Sequence, residues 1–185
     1  LNAASHPNAV HSFTTGQLRP SRSPKTAGKL QLSIWDDGHP FAETLSKAHD
    51  EFGTVMAADV EEDKTFEVLR RRDGVSEKFV LEGAGGVTPS HLDHLMVAAF
   101  IKGITSHPVE NVNGVSRKTE RGKGLYLLRK VVIDDFNGKI HYATRETRMT
   151  MVRGRTKDSY HVTIRRDTCL PSLAGNLLSL EMPLR

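Results

Sequence analysis

The hydrophobic pattern of the chain changes period at Asn137-Gly138, and this change restricts the folds that the chain can adopt. Before it, GLYLLRKVVIDDFNG carries apolar residues at helical spacing and ends in a dipeptide typical of a helix end. After it, KIHYATR, RMTMV, YHVTIRR and AGNLLSLEMPL alternate between apolar and polar residues, which predicts strands. The predicted helix is expected to bury Leu125, Leu128, Val131 and Val132. The second half of the chain therefore predicts one helix followed by an antiparallel meander.

The first half of the chain mixes strand and helix patterns. Residues 7–28 are rich in Ser, Thr, Pro and Gly and are predicted to form a loop. KLQLSIWDD predicts a strand, PFAETLSKAHDEFG a helix, and KTFEVLRRRDGVSEKFVLEG a hairpin around Asp73-Gly74. TPSHLDHLMVAAFIKG predicts a further helix, from a Ser90 cap to Gly103. The expected fold class is α+β, a two-layer α/β sandwich with helices packed on one face of a mostly antiparallel mixed sheet.

Length and composition limit the functions that such a fold can have. With 185 residues and a hydrophobic fraction of 37%, the chain is expected to form a single domain, residues 1–185, with a core of its own. The net charge of +4 fits a solvated surface, with affinity for phosphate or nucleic acid as the alternative. The single cysteine, Cys169, excludes an intrachain disulfide, and no apolar run is long enough to span a membrane. A cytoplasmic protein is expected.

A carboxylate stands on the apolar face of the first clear strand. The alternation of KLQLSIWDD puts its aliphatic residues on one face, and Asp36 has the same parity as Ile34. An ionised carboxylate on a buried face is costly unless donors reach it. Two explanations stay open: Asp36 caps the following turn or helix, or it binds a ligand at the floor of a pocket.

Cations and glycines crowd the segment KTERGKGLYLLRK, just before the helix of the second half. Gly122 and Gly124 stand at the predicted helix start, where backbone N–H groups and the helix dipole favour an anion, most commonly phosphate. A polar loop with an ordinary helix start is the simpler alternative. The cations of this segment include Lys118, Arg121 and Lys123.

Two other features have simpler explanations. Arg70–Arg72 crowd the hairpin turn, as a solvated tip or as a basic contact patch. His91 and His94 have a spacing that could share a metal, but no third ligand is near in sequence, and surface histidines are expected.

Taken together, these segments resemble the ATP-binding domain shared by DNA gyrase, the heat-shock chaperone, sensor histidine kinases and MutL, which is the GHKL superfamily. Asp36-Asp37-Gly38-His39-Pro40 is similar to the family's Asp-x-Gly-x-Gly box, and Gly122-Lys123-Gly124-Leu125 matches its Gly-x-Gly-Leu box. AGNLLSLEMPL is similar to the closing strand of the family. The similarity covers most of the chain and is interrupted at about residues 53–110, which are expected to be an insertion.

The resemblance implies a Bergerat fold with adenine between the sheet and the helices. Asp36 would accept a hydrogen bond from the exocyclic amine of adenine, and Gly38 would let the backbone approach the base. Asn176 stands where many members have Thr, which implies an adenine contact through water. The hinge end of an ATP lid would be formed by Lys118, Arg121, Gly122, Lys123, Gly124 and Leu125.

The resemblance also implies a bound Mg²⁺, held by an Asn on the first helix of the family, and a Glu base four residues before it. If LNAASHP is the end of that helix, both residues lie upstream of Leu1 and the chain is a piece of something longer. Asn2 is then the visible substitute as a metal ligand. Pro40 replaces the family's second glycine and stiffens that turn.

The expected function is that of a GHKL-type ATP-binding domain that holds ATP and Mg²⁺ for phosphoryl transfer or hydrolysis, in a histidine kinase-like enzyme or an ATPase. Its partners would be ATP or ADP and a protein partner or phosphoacceptor outside this chain. The alternative is a nucleotide-gated protein-interaction module with little or no turnover. Binding of nucleic acid rests only on modest basic charge, so nucleic acid is not an expected partner.

Overall fold

The computed structural model describes residues 11–21, 28–52, 63–88, 90–106, 111–112, 115–116, 123–166 and 172–184. These residues form a mixed α+β protein with one eight-stranded sheet, a separate two-stranded hairpin and three helices. The strands are β1 (Ser12–Arg19), β2 (Lys29–Asp36), β3 (Thr65–Arg72), β4 (Val75–Glu82), β5 (Asn111–Val112), β6 (Val115–Ser116), β7 (Lys139–Arg145), β8 (Thr147–Arg153), β9 (Ser159–Arg166) and β10 (Leu173–Pro183). The helices are α1 (Phe41–Phe52), α2 (Leu92–Ala98) and α3 (Gly124–Arg129), and α3 continues as a π-helical segment, Lys130–Asp135.

The large sheet has the order β1-β2-β10-β7-β8-β9-β3-β4. Neighbouring strands are antiparallel except β3 and β9, which are parallel, so the prediction of a mostly antiparallel mixed sheet is confirmed. The predicted hairpin is also confirmed: Asp73 and Gly74 join β3 to β4 with φ values of 47° and 84°, as a tight two-residue hairpin turn requires. This hairpin belongs to the predicted insertion, and it enters the same sheet as the rest of the chain.

One face of the sheet is buried and forms much of the core. A single row across five strands, from β2 to β9, consists of buried side chains: Ile34, Leu178, Tyr142, Met149 and Ile164. Each large apolar side chain removed from water contributes about 1.5–3 kcal/mol to folding.

Residues of all three helices contact this buried face. Phe41 of α1 stacks on Tyr142 with ring centroids 4.8 Å apart. His94 of α2 stacks on Phe79 of β4 at the same centroid distance, 4.8 Å. The fully buried guanidinium of Arg129, at the end of α3, lies 4.6 Å from the ring centroid of Tyr160, a cation–π contact that compensates part of the cost of burying the charge.

The prediction of a loop over residues 7–28 is wrong for part of that range, because Ser12–Arg19 form β1. All eight side chains of β1 are exposed, and β1 is held by backbone pairing with β2 along its whole length. A strand without a buried face shows no apolar alternation, so the sequence pattern could not reveal it.

Two helices differ in detail from their predictions. α2 begins after His91 and not at a Ser90 cap, and it ends at Ala98 rather than near Gly103. In the segment after α3, Val131 is 42% exposed whereas Ile133 is fully buried. The π-helical geometry shifts the buried face by about one residue relative to an α-helix. For this reason the α-helical pattern predicted that Val131 is buried. No helix in the described ranges is long and apolar enough to cross a membrane.

Candidate functional site

Asp36 ends β2 on the buried face of the sheet and is 6% exposed, which confirms the parity prediction. Its Oδ1 accepts hydrogen bonds from the Gly38 backbone N–H at 2.9 Å and from Asn176 Nδ2 at 2.8 Å. The bond to a backbone N–H two residues later closes an Asx-type turn, so the turn-capping explanation for Asp36 is also confirmed. Both donors reach the same oxygen, and none of the described residues donates to Oδ2.

Asn176 of β10 joins the two sides of the turn that follows β2. It is 1% exposed, and its Nδ2 also donates to the carbonyls of Gly38 at 3.2 Å and His39 at 3.0 Å. All three neighbours of Nδ2 are acceptors, which fixes the orientation of the amide. Its Oδ1 accepts a hydrogen bond from the hydroxyl of Tyr142 at 2.6 Å. Asn176 is therefore fully engaged in a buried polar network.

Gly175 makes this arrangement sterically possible. It has a φ of 81°, and the pairing of β10 with β7 is irregular between Leu173 and Asn176. A Cβ atom at Gly175 would collide with the backbone carbonyl oxygen of Asp36. Only glycine allows β10 to bend this close to the end of β2.

Tyr142 belongs to the same network, and sequence reasoning missed it as a site residue. Its hydroxyl accepts a hydrogen bond from the Phe41 backbone N–H at 3.2 Å while it donates to Asn176. Burial raises the pKa of the Tyr142 phenol well above its usual value, because the charged phenolate would lose its hydration. The sequence did contain a signal for Tyr142. The alternation of KIHYATR puts Tyr142 on the apolar face, and a buried phenol needs a hydrogen-bond partner.

The predicted phosphate-binding segment is described only in part. Lys123 directly precedes α3, Gly124 is its first residue with open space around it, and the half-buried Leu125 packs against the core. The structure thus joins Asp36, Gly38 and Asn176 by hydrogen bonds and places Lys123–Leu125 on a separate element. The other predicted residues lie outside the described ranges: Asn2, Lys118, Arg121 and Gly122.

Asp93 and two arginines on β3 and β9 form a further polar group, of which the sequence singled out only Arg70, within Arg70–Arg72. Asp93 of α2 is only 4% exposed and forms ion pairs with Arg70 at 3.2 Å and Arg166 at 2.8 Å. Nearby, a cavity of about 390 Å³ is lined by residues that include Arg145 and Glu43, whose side chains form an ion pair at 2.8 Å. The end of the sheet that carries Asp36 therefore also carries charged residues on β3, β7 and β9.

Metal binding finds little support in the described ranges. They contain no group of three or more His, Cys, Asp or Glu side chains that could hold a metal ion. The rings of His91 and His94 lie 5.0 Å apart without a third ligand of these types beside them. No Mg²⁺ ligand is assigned to the residues that the structure describes.

In comparisons with known proteins, no family model, no curated protein and no solved structure matches the chain. The resemblance to the GHKL superfamily consequently stands on the two glycine boxes, the closing strand and their positions in the chain.

Proposed function

We propose that the chain is an ATP-binding domain of the GHKL type, with a Bergerat fold in which the helices form one layer over the sheet. In this proposal it binds ATP and Mg²⁺ for phosphoryl transfer or hydrolysis. The observation that supports it best is Asp36, a buried carboxylate at a strand end with both of its observed donors on one oxygen. A carboxylate in that position is costly to bury and is suited to accept one more hydrogen bond.

Adenine offers the donor that Asp36 would need. Its exocyclic amine can donate to Oδ2, while Gly38 and Asn176 hold Oδ1. Guanine carries a carbonyl oxygen at the corresponding edge, and this oxygen would face the carboxylate with like charge. Because Asn176 is itself held by Tyr142, the carboxylate is positioned before any ligand arrives, and this reduces the entropic cost of binding.

Binding with little or no turnover is the second candidate function. Within the described residues, the buried network offers features that suit binding, with Asp36 as its one carboxylate. The neighbouring Asp37 is turned away from this network, and its carboxylate accepts from the His11 backbone N–H at 2.9 Å. Neither residue is placed as a general base, so the ATP-binding step is the part of the proposal that these residues support.

The test is a titration of a fluorescent ATP analogue against the full 185-residue chain and two variants of Asp36. Asp36→Ala removes the acceptor, and Asp36→Asn keeps the size of the side chain while it replaces one oxygen by a donor. Both are expected to weaken binding at least about tenfold, because the acceptor for the exocyclic amine is lost, and circular dichroism reports whether the fold persists. The matched control is Asp37→Ala, which removes the neighbouring carboxylate outside the network. Equal affinities of the wild type and a folded Asp36 variant would contradict the proposal.

Base selectivity provides a second measurement on the same protein. If the carboxylate reads the exocyclic amine, GTP should compete with the analogue at least about tenfold more weakly than ATP, since a lost and reversed hydrogen bond costs at least 1.4 kcal/mol. Equal competition by the two nucleotides would mean that Asp36 does not contact the base.

A further inference from the structure

A row of arginines crosses the face of the sheet opposite to Asp36. Arg148 on β8 pairs in register with Arg165 on β9, and Arg165 pairs in register with Arg71 on β3. Adjacent strands are about 4.8 Å apart, so three like charges stand side by side. Trp35, and not Asp36, has the parity of this row. Like charges in directly opposite positions destabilise a sheet unless a counter-charge lies between them.

Arg71 and Arg165 differ from the arginines beside them because no described residue forms an ion pair or side-chain hydrogen bond with either guanidinium. Both side chains are exposed. The arginines with acidic neighbours are Arg70 (Glu77 and Asp93), Arg72 (Asp73) and Arg166 (Asp93). Within the described part of the chain, acidic side chains therefore pair with the arginines around Arg71 and Arg165 but not with these two.

The same pair lines a cavity of about 620 Å³ at the ends of β3 and β9. Its walls carry four arginines against one aspartate, Asp73, and also the hydroxyl-bearing residue Ser76. Ligand sites in proteins commonly have volumes of about 300–1,000 Å³. A cavity of this size with excess positive charge suits a small anion with several oxygens.

We propose that this cavity is a binding site for a compact polyphosphate anion, either free pyrophosphate or the phosphate end of a nucleotide, held by Arg71 and Arg165. Guanidinium groups bind phosphate oxygens through two parallel hydrogen bonds, and two such groups side by side match a diphosphate. Arg148 lies outside the cavity lining, and its guanidinium donates to the backbone carbonyls of Arg145 at 2.7 Å and Thr147 at 3.0 Å.

The distribution of charge favours a compact anion over the backbone of a nucleic acid. On β3, Glu67 lies on the same face as Arg71, four residues away, where it pairs with His161 at 3.1 Å. An extended phosphate backbone that crossed this face would meet that carboxylate. The basic charge is thus confined to the strand ends. Arg71 and Arg165 have the opposite parity from Asp36, so their contacts with the anion do not depend on the proposed adenine contact.

Isothermal titration calorimetry with pyrophosphate, on the full chain, tests the site. Wild-type protein is expected to bind pyrophosphate, and the double variant Arg71→Ala/Arg165→Ala to bind it at least about tenfold more weakly, because charge-assisted hydrogen bonds are lost. Arg155→Ala is the matched control, since it removes an exposed arginine from the turn between β8 and β9, at the other end of the sheet. It should bind pyrophosphate as the wild type does.

Three outcomes overturn the proposal: no binding of pyrophosphate by the wild type, equal loss in the double variant and in Arg155→Ala, or a duplex DNA that binds more tightly than pyrophosphate and depends on the same two arginines.

The variant Asp36→Ala distinguishes this proposal from the proposed adenine contact, because it should leave pyrophosphate binding unchanged. ATP binding that persists in Asp36→Ala and disappears when Arg71 and Arg165 are also replaced would identify nucleotide phosphates as the source of the anion. Pyrophosphate binding without such ATP binding would identify the free anion.

Discussion

Asn176 and Asp36 lie 140 positions apart in the chain, yet the side-chain amide of Asn176 donates a 2.8 Å hydrogen bond to Asp36 Oδ1. The register of β10 with β2 also places the two residues directly opposite each other. The same amide donates to the carbonyls of Gly38 and His39. One side chain therefore joins the closing strand to the turn that follows β2, and we infer that it fixes the carboxylate of Asp36.

Replacement of Asn176 by Leu is expected to destabilise the protein by about 3 kcal/mol, because a buried carboxylate, two carbonyls and a phenol lose a partner. Urea unfolding of the variant and the wild type measures this difference. Gln31→Leu is the matched control, since the half-buried Gln31 amide donates a single 3.3 Å bond to Ser179. Its cost should be below about 1 kcal/mol. Similar losses in both variants would show that the network contributes little beyond an ordinary hydrogen bond.

Tyr142 should impose a dependence on alkaline pH. Burial raises the pKa of its phenol above the usual value of 10.0, so the folded protein keeps a proton that the unfolded chain releases. The free energy of unfolding should therefore be unaffected by this group below pH 10 and should fall as the pH rises above about 10.

Tyr142→Phe tests this dependence by removing the titrating group. At neutral pH the variant should lose about 1–2 kcal/mol, since the hydroxyl bonds to Phe41 and Asn176 disappear. Above pH 10 its stability should fall less steeply than that of the wild type. Urea unfolding at several pH values gives both quantities, with Tyr126→Phe as a comparison outside the network. Parallel curves for wild type and Tyr142→Phe would contradict the assignment.

The sequence predicted those parts of the fold that local patterns encode. Alternation identified β2 and the strands after residue 138, and the parity of KLQLSIWDD predicted that Asp36 is buried. β1 was missed because its exposed side chains leave no pattern. The parallel pairing of β3 with β9 was missed because it joins segments about ninety positions apart, and local periodicity carries no information on which strands become neighbours.

The candidate site likewise has some residues that the sequence predicted and some contacts that it did not. Strand parity pointed to Asp36, and the resemblance to the GHKL superfamily pointed to Gly38 and Asn176. The hydrogen bond between Asp36 and Asn176, and the contribution of Tyr142, depend on the register of three strands, which only the folded chain reveals. The row of Arg148, Arg165 and Arg71 was missed for the same reason, since its members come from three strands.

Asp93 should be among the residues most sensitive to replacement outside the apolar core. Its nearly buried carboxylate pairs with Arg70 and Arg166, and its removal leaves two guanidinium groups partly desolvated without that partner. We expect Asp93→Ala to lower the free energy of unfolding by about 3–5 kcal/mol. Glu77→Ala is the matched control, because Glu77 also pairs with Arg70 but is exposed, and it should cost less than about 1 kcal/mol. Equal costs, measured by thermal or urea unfolding, would contradict this account.

The variant Gly124→Val tests the proposed phosphate contacts without a large expected effect on the stability of the fold. A Cβ at Gly124 meets nothing within 4 Å, so the variant should fold with a free energy of unfolding within about 1 kcal/mol of the wild type. If the start of α3 approaches the phosphates as the GHKL resemblance implies, the valine side chain should obstruct them and weaken ATP binding more than adenosine binding. Gly85→Val is the matched control, because Gly85 also stands in open space but in a loop that the proposal does not involve. Titrations with both ligands measure the ratio of the two affinities. An unchanged ratio in Gly124→Val, or an equal change in Gly85→Val, would remove this segment from the proposed site.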